Sequence, residues 1–225
     1  MPERFLKPYD PVETEPRIYK LWEDSGFFAP EAHPPWVDNP DKNPNLGKPF
    51  TIIMPPPNVT GILHMGHALM LTLEDIMIRY KRMRGFRTLW LPGTDHAAIA
   101  TQSRVEKDIY KAEKKSRHDL GREEFLKRVE QFAKESHDTI VSQIKVFGAS
   151  CDWSRTRFTM DKDYSDDVVK AFIHYYEKGL IYRGKRIVSW CTRCGTSLSD
   201  LEIEHKEEIG KLYFIKYPAV ALRQA

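Results

Sequence analysis

The chain has 225 residues, 41% hydrophobic and 30% charged, which is enough to bury a sizeable core and to hold one domain, or one domain plus a fragment. No apolar run approaches the about 20 residues of a membrane span, and nothing signal-like follows Met1, so the sequence reads as soluble, with no membrane partner and a cytoplasmic location by default. A formal charge of +3 permits contact with a polyanion without requiring it, and three cysteines are too few for a disulfide framework.

In chain order, the first expected element is a helix over residues 15–25, with Thr14 as cap, Pro16 in the first turn, Gly26 at the exit and an apolar stripe of Ile18, Leu21 and Trp22. Residues 27–48 are proline-rich without periodicity and read as an irregular surface segment. A buried strand follows at 50–54, and Pro55, Pro56 and Pro57 stop it, since proline cannot donate to a sheet ladder. The next helix starts between His64 and Gly66 and ends at Arg84, with Gly85 as its left-handed stop. Leu69, Leu73, Ile76, Met77 and Tyr80 fall at helical spacing and are expected to form its buried face.

A second strand at 88–91 completes a strand, helix, strand unit, whose strands must be parallel, so the fold class is α/β. The loop Pro92-Gly93-Thr94-Asp95-His96 leaves it on the same sheet edge as the triple-proline loop, where ligands bind in such folds. Further helices are expected at 97–111, 122–147 and 164–178, the last two closed by Gly148 and Gly179. Beyond residue 180, β-rich stretches at 187–190 and 211–215 alternate with turns. The domain reading is an N-terminal helix and irregular segment at 1–48, an α/β domain at 49–180 and a smaller segment at 181–225.

Three groups of residues carry chemistry. His64-Met65-Gly66-His67 places two imidazoles on one face of a helix start, above free amides that favour a phosphate, with Gly66 allowing close approach. A bare H-x-x-H pair is equally a metal pair awaiting further ligands, or two satisfied histidines at a helix end. Asp95 offers a carboxylate to a cationic group, although spacing alone suits a cap on the following helix at least as well. Cys191-Thr192-Arg193-Cys194-Gly195 follows a strand and looks like a zinc knuckle, half of a tetrahedral site. A redox C-x-x-C would normally open a helix, which Gly195-Thr196-Ser197 does not propose. Cys151 is read as simply buried; the basic runs at 81–87 and 111–117 could face a nucleic acid, although a charge cluster at a helix C-terminus is more often a solvated face that complements the helix dipole.

The stretch from Pro55 to Ala68 resembles the first signature of class I aminoacyl-tRNA synthetases. Pro55-Pro56-Pro57-Asn58-Val59-Thr60-Gly61 and Leu91-Pro92-Gly93-Thr94-Asp95-His96 are similar to the valine enzymes within that class. Ala98 departs from the glycine usual there. The resemblance implies a Rossmann-like parallel nucleotide-binding sheet, with the zinc-knuckle segment leading into an editing insertion that residues 209–225 would enter. It implies ATP with Mg2+, valine and tRNA(Val) as substrates and partners, a monomeric full enzyme, and Zn2+ at a half site of Cys191 and Cys194, whose second cysteine pair would lie beyond Ala225. His64, Gly66 and His67 would bind ATP, the two histidines acting on the triphosphate in catalysis, while Pro55, Pro56, Asn58 and Asp95 would bind the amino acid.

The lysine-rich K-M-S-K-S-type loop of the class and an anticodon-binding bundle are absent, so the resemblance implies an incomplete N-terminal part with feeble activation on its own. An H-x-G-H nucleotidyltransferase, and a non-catalytic synthetase-like module binding tRNA or a partner, stand as alternatives.

Overall fold

The computed structural model describes residues 8–32 and 43–216. The chain divides into two compact units, Met1–Ile181 and Tyr182–Ala225.

In the first unit, helix α1 spans Pro11–Asp24. It begins earlier than the sequence suggests because two cap-then-proline pairs compete, and the upstream pair prevails. The Asp10 carboxylate accepts the amides of Val12 and Glu13 at 2.9 and 3.3 Å, and Pro11 takes the first helical position. The expected stripe holds in part, with Ile18 half-buried and the Trp22 ring 4.9 Å beneath the Arg79 guanidinium. Leu21 is exposed, and the Tyr19 hydroxyl adds a tie the stripe did not include, donating to the Ala149 carbonyl at 2.8 Å and accepting Trp153 Nε1 at 2.7 Å.

Strand β1 (Pro49–Ile53) pairs in parallel with β2 (Arg87–Leu91), and helix α2 (Met65–Met83) crosses between them. The strand, helix, strand unit is therefore present, with Gly85 at φ 83° closing the helix. The pairing continues past the prolines, where Asp95 N–H donates to the Pro57 carbonyl at 2.8 Å and Val59 N–H to the Asp95 carbonyl at 2.9 Å, bridging Asn58 to Asp95.

Two short parallel strands, β3 (Gly93–Thr94) and β4 (Arg157–Phe158), are too brief for any periodicity to show. They complete the layer, because Asp152 N–H donates to the Trp90 carbonyl and Arg157 N–H to that of Pro92. Segment 90–94 is thus central, flanked by the β1 chain and the β4 chain. A side chain at Gly93 would meet the Arg157 carbonyl oxygen at 2.8 Å, so this close backbone approach requires glycine.

Between β3 and β4 run α3 (Ala98–Glu113), the one-turn α4 (Arg117–Leu120) and the long α5 (Arg122–Val146). The main core joins Met54, Val59, Leu71, Ile78 and Trp90 to Ile140 and Ile144 of α5, with Cys151 fully buried. A second cluster joins Val105 and Ile109 of α3 to Phe125.

The buried face of α2 is not the expected one. Leu69, Leu73, Ile76, Met77 and Tyr80 are exposed, while Leu71, Glu74 and Ile78 are buried. This helix is apolar on two sides, and the inner side is disguised by Glu74, whose carboxylate accepts the Trp90 indole N–H at 2.9 Å. Helix α6 (Lys162–Glu177) has no buried residue.

In the second unit, β5 (Trp190–Cys191) pairs antiparallel with β6 (Thr196–Ser197). The strands expected at 187–190 and 211–215 do not form, apart from Trp190. Residues 211–216 have no assigned structure and are exposed, with no neighbouring strand among the described residues to accept their ladder. The expected irregular segment at 27–48 is described only in part, with one turn of 3-10 helix at Pro30–Ala32, and the last residues of the expected editing entrance, 217–225, lie outside the described residues. Among the described residues no helix is long and apolar enough to cross a membrane.

Candidate active site

At the ends of β1 and β2 the chain places two loops side by side. The first carries Pro55, Pro56 and Asn58, all exposed, and runs into the start of α2, whose entry is tied to α5 where Leu63 N–H donates to Gln143 Oε1 at 2.9 Å. His64 is the N-cap of α2, and its Nδ1 accepts the Gly66 amide at 3.1 Å. His67 Nδ1 in turn accepts the His64 amide at 3.2 Å. The two rings lie 4.0 Å apart between centroids, tilted by 41°.

Both Nδ1 atoms are acceptors here, so in the neutral rings each proton sits on Nε2, which leaves an N–H donor on each ring at a helix N-terminus. Partial burial, and then the charge of His64, hold His67 below the usual imidazole range, favouring that neutral form. A self-satisfied helix end describes half of each ring, and the Nε2–H half of each can donate to an anion. A metal pair lacks support among the described residues, where no group of three or more His, Cys, Asp or Glu is gathered.

Gly66 is held in ordinary helical conformation, and its reason is contact: a Cβ there would lie 2.9 Å from His64 Cε1.

The second loop carries Asp95, opposite Asn58 in the bridge. Its Oδ1 accepts the Ala97 amide at 3.0 Å and the Thr159 hydroxyl at 3.0 Å, with His96 Nδ1 at 3.4 Å. Asp95 therefore ties the turn before α3 without capping that helix, because the capping position is Ala97, at φ 43° and with no side-chain bond. The left-handed residue is Ala97, and Ala98 is already helical, so alanine in place of glycine at 98 is accommodated without strain. Sequence reasoning missed Thr159, His137 and Thr94, the last two joined by a 2.8 Å contact between Nδ1 and Oγ1. Nothing in the sequence links Thr159 to a residue 64 positions away, because the link is made by the two-residue strand β4.

Cys191 and Cys194 belong to the second unit, on the β5 to β6 turn, with Gly195 at φ 67°. The Cys194 amide points at Cys191 Sγ at 3.4 Å, and hydrogen bonds from Cys194 lower the Cys191 thiol from its ordinary value. That is donor chemistry suited to a soft metal, but only two of the four donors of a tetrahedral site are present among the described residues.

The family model for class I tRNA synthetases (I, L, M and V) matches residues 17–216. The chain belongs to this family. Its α/β layer of parallel strands and helices is the class I catalytic fold. A synthetase chain from the crystal structure of the ternary complex of Agrobacterium radiobacter K84 agnB2 LeuRS, tRNA and LeuAMS superposes with a TM-score of 0.64 over 85% of this chain and 21% of that one, at 21% identity.

Among curated relatives, the valine–tRNA ligase of Thermus thermophilus is 55% identical over 212 residues, 94% of this chain and 23% of that protein. The valine–tRNA ligases of Carboxydothermus hydrogenoformans and Thermotoga maritima are 53% and 50% identical, each over 93% of this chain. The synthetase chain described here thus spans under a quarter of the length of these relatives, 22–23% of each. Family membership displaces the free-standing nucleotidyltransferase as an account of His64 and His67.

Proposed function

We propose that this chain supplies the ATP- and valine-binding part of a valine–tRNA ligase, which activates valine to valyl-adenylate and transfers it to tRNA(Val). The observation that carries the reading is the Asn58 to Asp95 bridge, which sets a carboxylate beside the proline loop that leads into the His64 helix start. Relatives at 50–55% identity named as valine–tRNA ligases support the choice of amino acid.

In this reading ATP, brought with Mg2+, lies with its phosphates at the start of α2. The Nε2–H groups of His64 and His67 donate to phosphoryl oxygens, and Gly66 keeps His64 seated. The valine ammonium group pairs with Asp95, while Pro55, Pro56 and Asn58 bound the side-chain pocket. The valine carboxylate is already ionised at neutral pH. Its oxygen attacks the α-phosphorus, the bond to the β-phosphate oxygen breaks, and pyrophosphate leaves. No general base is needed, so the protein's contribution is positioning and stabilisation of charge.

The same proposal assigns residues 49–180 to the first half of the catalytic domain, 1–48 to an N-terminal appendage and 181–225 to a zinc-knuckle segment that opens an editing insertion. It also makes the full enzyme monomeric and cytoplasmic. Zinc at Cys191 and Cys194 requires two further donors from outside the described residues.

Calorimetric titration with non-hydrolysable valyl, isoleucyl and threonyl sulfamoyl-adenosines tests the reading. The valyl compound is expected to bind most tightly, and the double variant His64→Ala, His67→Ala to lose that affinity. Equal binding of the three compounds, or valyl binding indifferent to both histidines, would refute it.

A further inference from the structure

We propose that Thr159 is a positioning residue for Asp95: its hydroxyl fixes one carboxylate oxygen so that the other is presented to the ammonium group of the bound amino acid. The inference rests on the reading of Asp95 as the ammonium ligand. Every contact made by the Asp95 carboxylate falls on Oδ1, namely Ala97 N–H at 3.0 Å, the Thr159 hydroxyl at 3.0 Å and His96 Nδ1 at 3.4 Å. Among the described residues, Oδ2 has no partner.

The direction of the Thr159 hydroxyl follows from counting protons. Its oxygen accepts the His96 amide at 2.9 Å and also meets His96 Nδ1. A hydroxyl has one proton and two lone pairs. An ionised carboxylate only accepts, so the proton shared with Asp95 is the hydroxyl's, and the His96 backbone amide and Nδ1 must then both donate to the oxygen, which places the imidazole proton on Nδ1 and holds the hydroxyl in one orientation. Two donors enter the oxygen and one proton leaves it for Asp95. An ordinary surface threonine is a free rotor.

The backbone is equally committed. Thr159 N–H donates to the Thr94 carbonyl at 3.2 Å, continuing the β3 to β4 pairing that Gly93 makes possible. The carboxylate is therefore oriented before the ligand arrives, and little rotational freedom is lost on binding.

A hydroxyl that merely tied the loop would matter to every ligand alike. A positioning hydroxyl matters only to ligands with an amine. The test compares valyl sulfamoyl-adenosine with its des-amino counterpart, the 3-methylbutanoyl compound, by calorimetry on the wild-type chain and on Thr159→Val, Thr159→Ser and Asp95→Asn. Thr159→Val is expected to weaken the valyl compound about tenfold, as for loss of a hydrogen bond to a charged group, and to leave the des-amino compound within about twofold. Thr159→Ser, which keeps the hydroxyl, is expected to restore the preference, and Asp95→Asn to abolish it. If Asp95→Asn abolishes the preference but Thr159→Val lowers both affinities equally, or neither, the role of Thr159 is overturned while that of Asp95 stands. If Asp95→Asn keeps the preference, or the wild-type chain holds the two compounds alike or holds neither, both fall.

Discussion

Gly66 is a packing requirement at the start of α2, and this separates stability from binding. Alanine in a helix is favoured over glycine by about 1 kcal/mol, and loss of an N-cap bond costs about the same. Gly66→Ala places a Cβ 2.9 Å from His64 Cε1, so the ring must swing away and release the Gly66 amide. The two terms offset, and the melting temperature is expected to move little while affinity for the valyl compound falls at least fivefold, roughly 1 kcal/mol. A variant that binds as wild type would show that the seated His64 ring is irrelevant to the ligand. Cysteine reactivity is a second test at this scale. Cys191 is half-buried with its thiol lowered by amide bonds, whereas Cys151 is fully buried and burial pushes its thiol up. Under native conditions at pH 7, iodoacetamide is expected to label Cys191 well before Cys151, as read by peptide mass spectrometry. Comparable labelling of Cys151 would contradict the packed core around it.

Helix α2 shows how one element serves both core and site. Its outer end makes the histidine cap, and its inner face is clamped by Glu74 on Trp90 and by Asp75, which accepts the Ser150 amide at 3.0 Å and Arg79 Nε at 2.7 Å. Burial raises the Glu74 carboxyl above the usual range, only partly opposed by the Trp90 bond. Below the unfolded value the group is neutral in both states and contributes nothing. As pH rises from there, the unfolded chain ionises first, so the folded state loses stability until the folded value is passed. The melting temperature of Glu74→Gln minus that of wild type is therefore expected to become more positive between pH 4 and pH 7, and a difference flat with pH would sink the argument. The same helix marks the limit of what sequence could say. Its start near His64 to Gly66 and its stop at Gly85 were legible, the stop from glycine chemistry, and so was the parallel pairing of its flanking strands, whereas the histidine cap was not. Its buried face was not, because periodicity cannot choose between two apolar sides when a glutamate lies on the inner one. The candidate site divides in the same way: His64, His67, Asn58 and Asp95 were singled out by the resemblance of their two loops to class I synthetases, spacing alone leaving other readings open, whereas Thr159 reaches Asp95 only through a two-residue strand.

For the molecule as a whole, the burial pattern sets where it is firm and where it is loose. The central layer of β1, β2 to β3 and β4 is covered by α2 and α5, whose Leu71, Ile78, Ile140 and Ile144 are essentially inaccessible. Helix α6 is different, since its apolar residues Val168, Phe172 and Tyr175, at helical spacing, together with Val169, Ile173 and Tyr176 beside them, are all exposed. A helix of 16 residues without a buried face must rely on its own propensity, and since even alanine-rich isolated helices are marginal below about 12–15 residues, one this rich in β-branched and aromatic residues gains little margin from its length. The exposed side of α2, with Leu69, Leu73 and Tyr80, adds a second apolar surface, yet α2 keeps its order through the face it does bury. Local stability follows buried contact, not helix length or exposed hydrophobicity. In hydrogen-exchange mass spectrometry of the 225-residue chain, amides of Lys162–Glu177 are therefore expected to exchange at least tenfold faster than those of Met65–Met83 and Arg122–Val146, about 1.4 kcal/mol less protection. Equal protection of α6 would mean that its apolar face is covered in solution, by association of chains if protection rises with protein concentration.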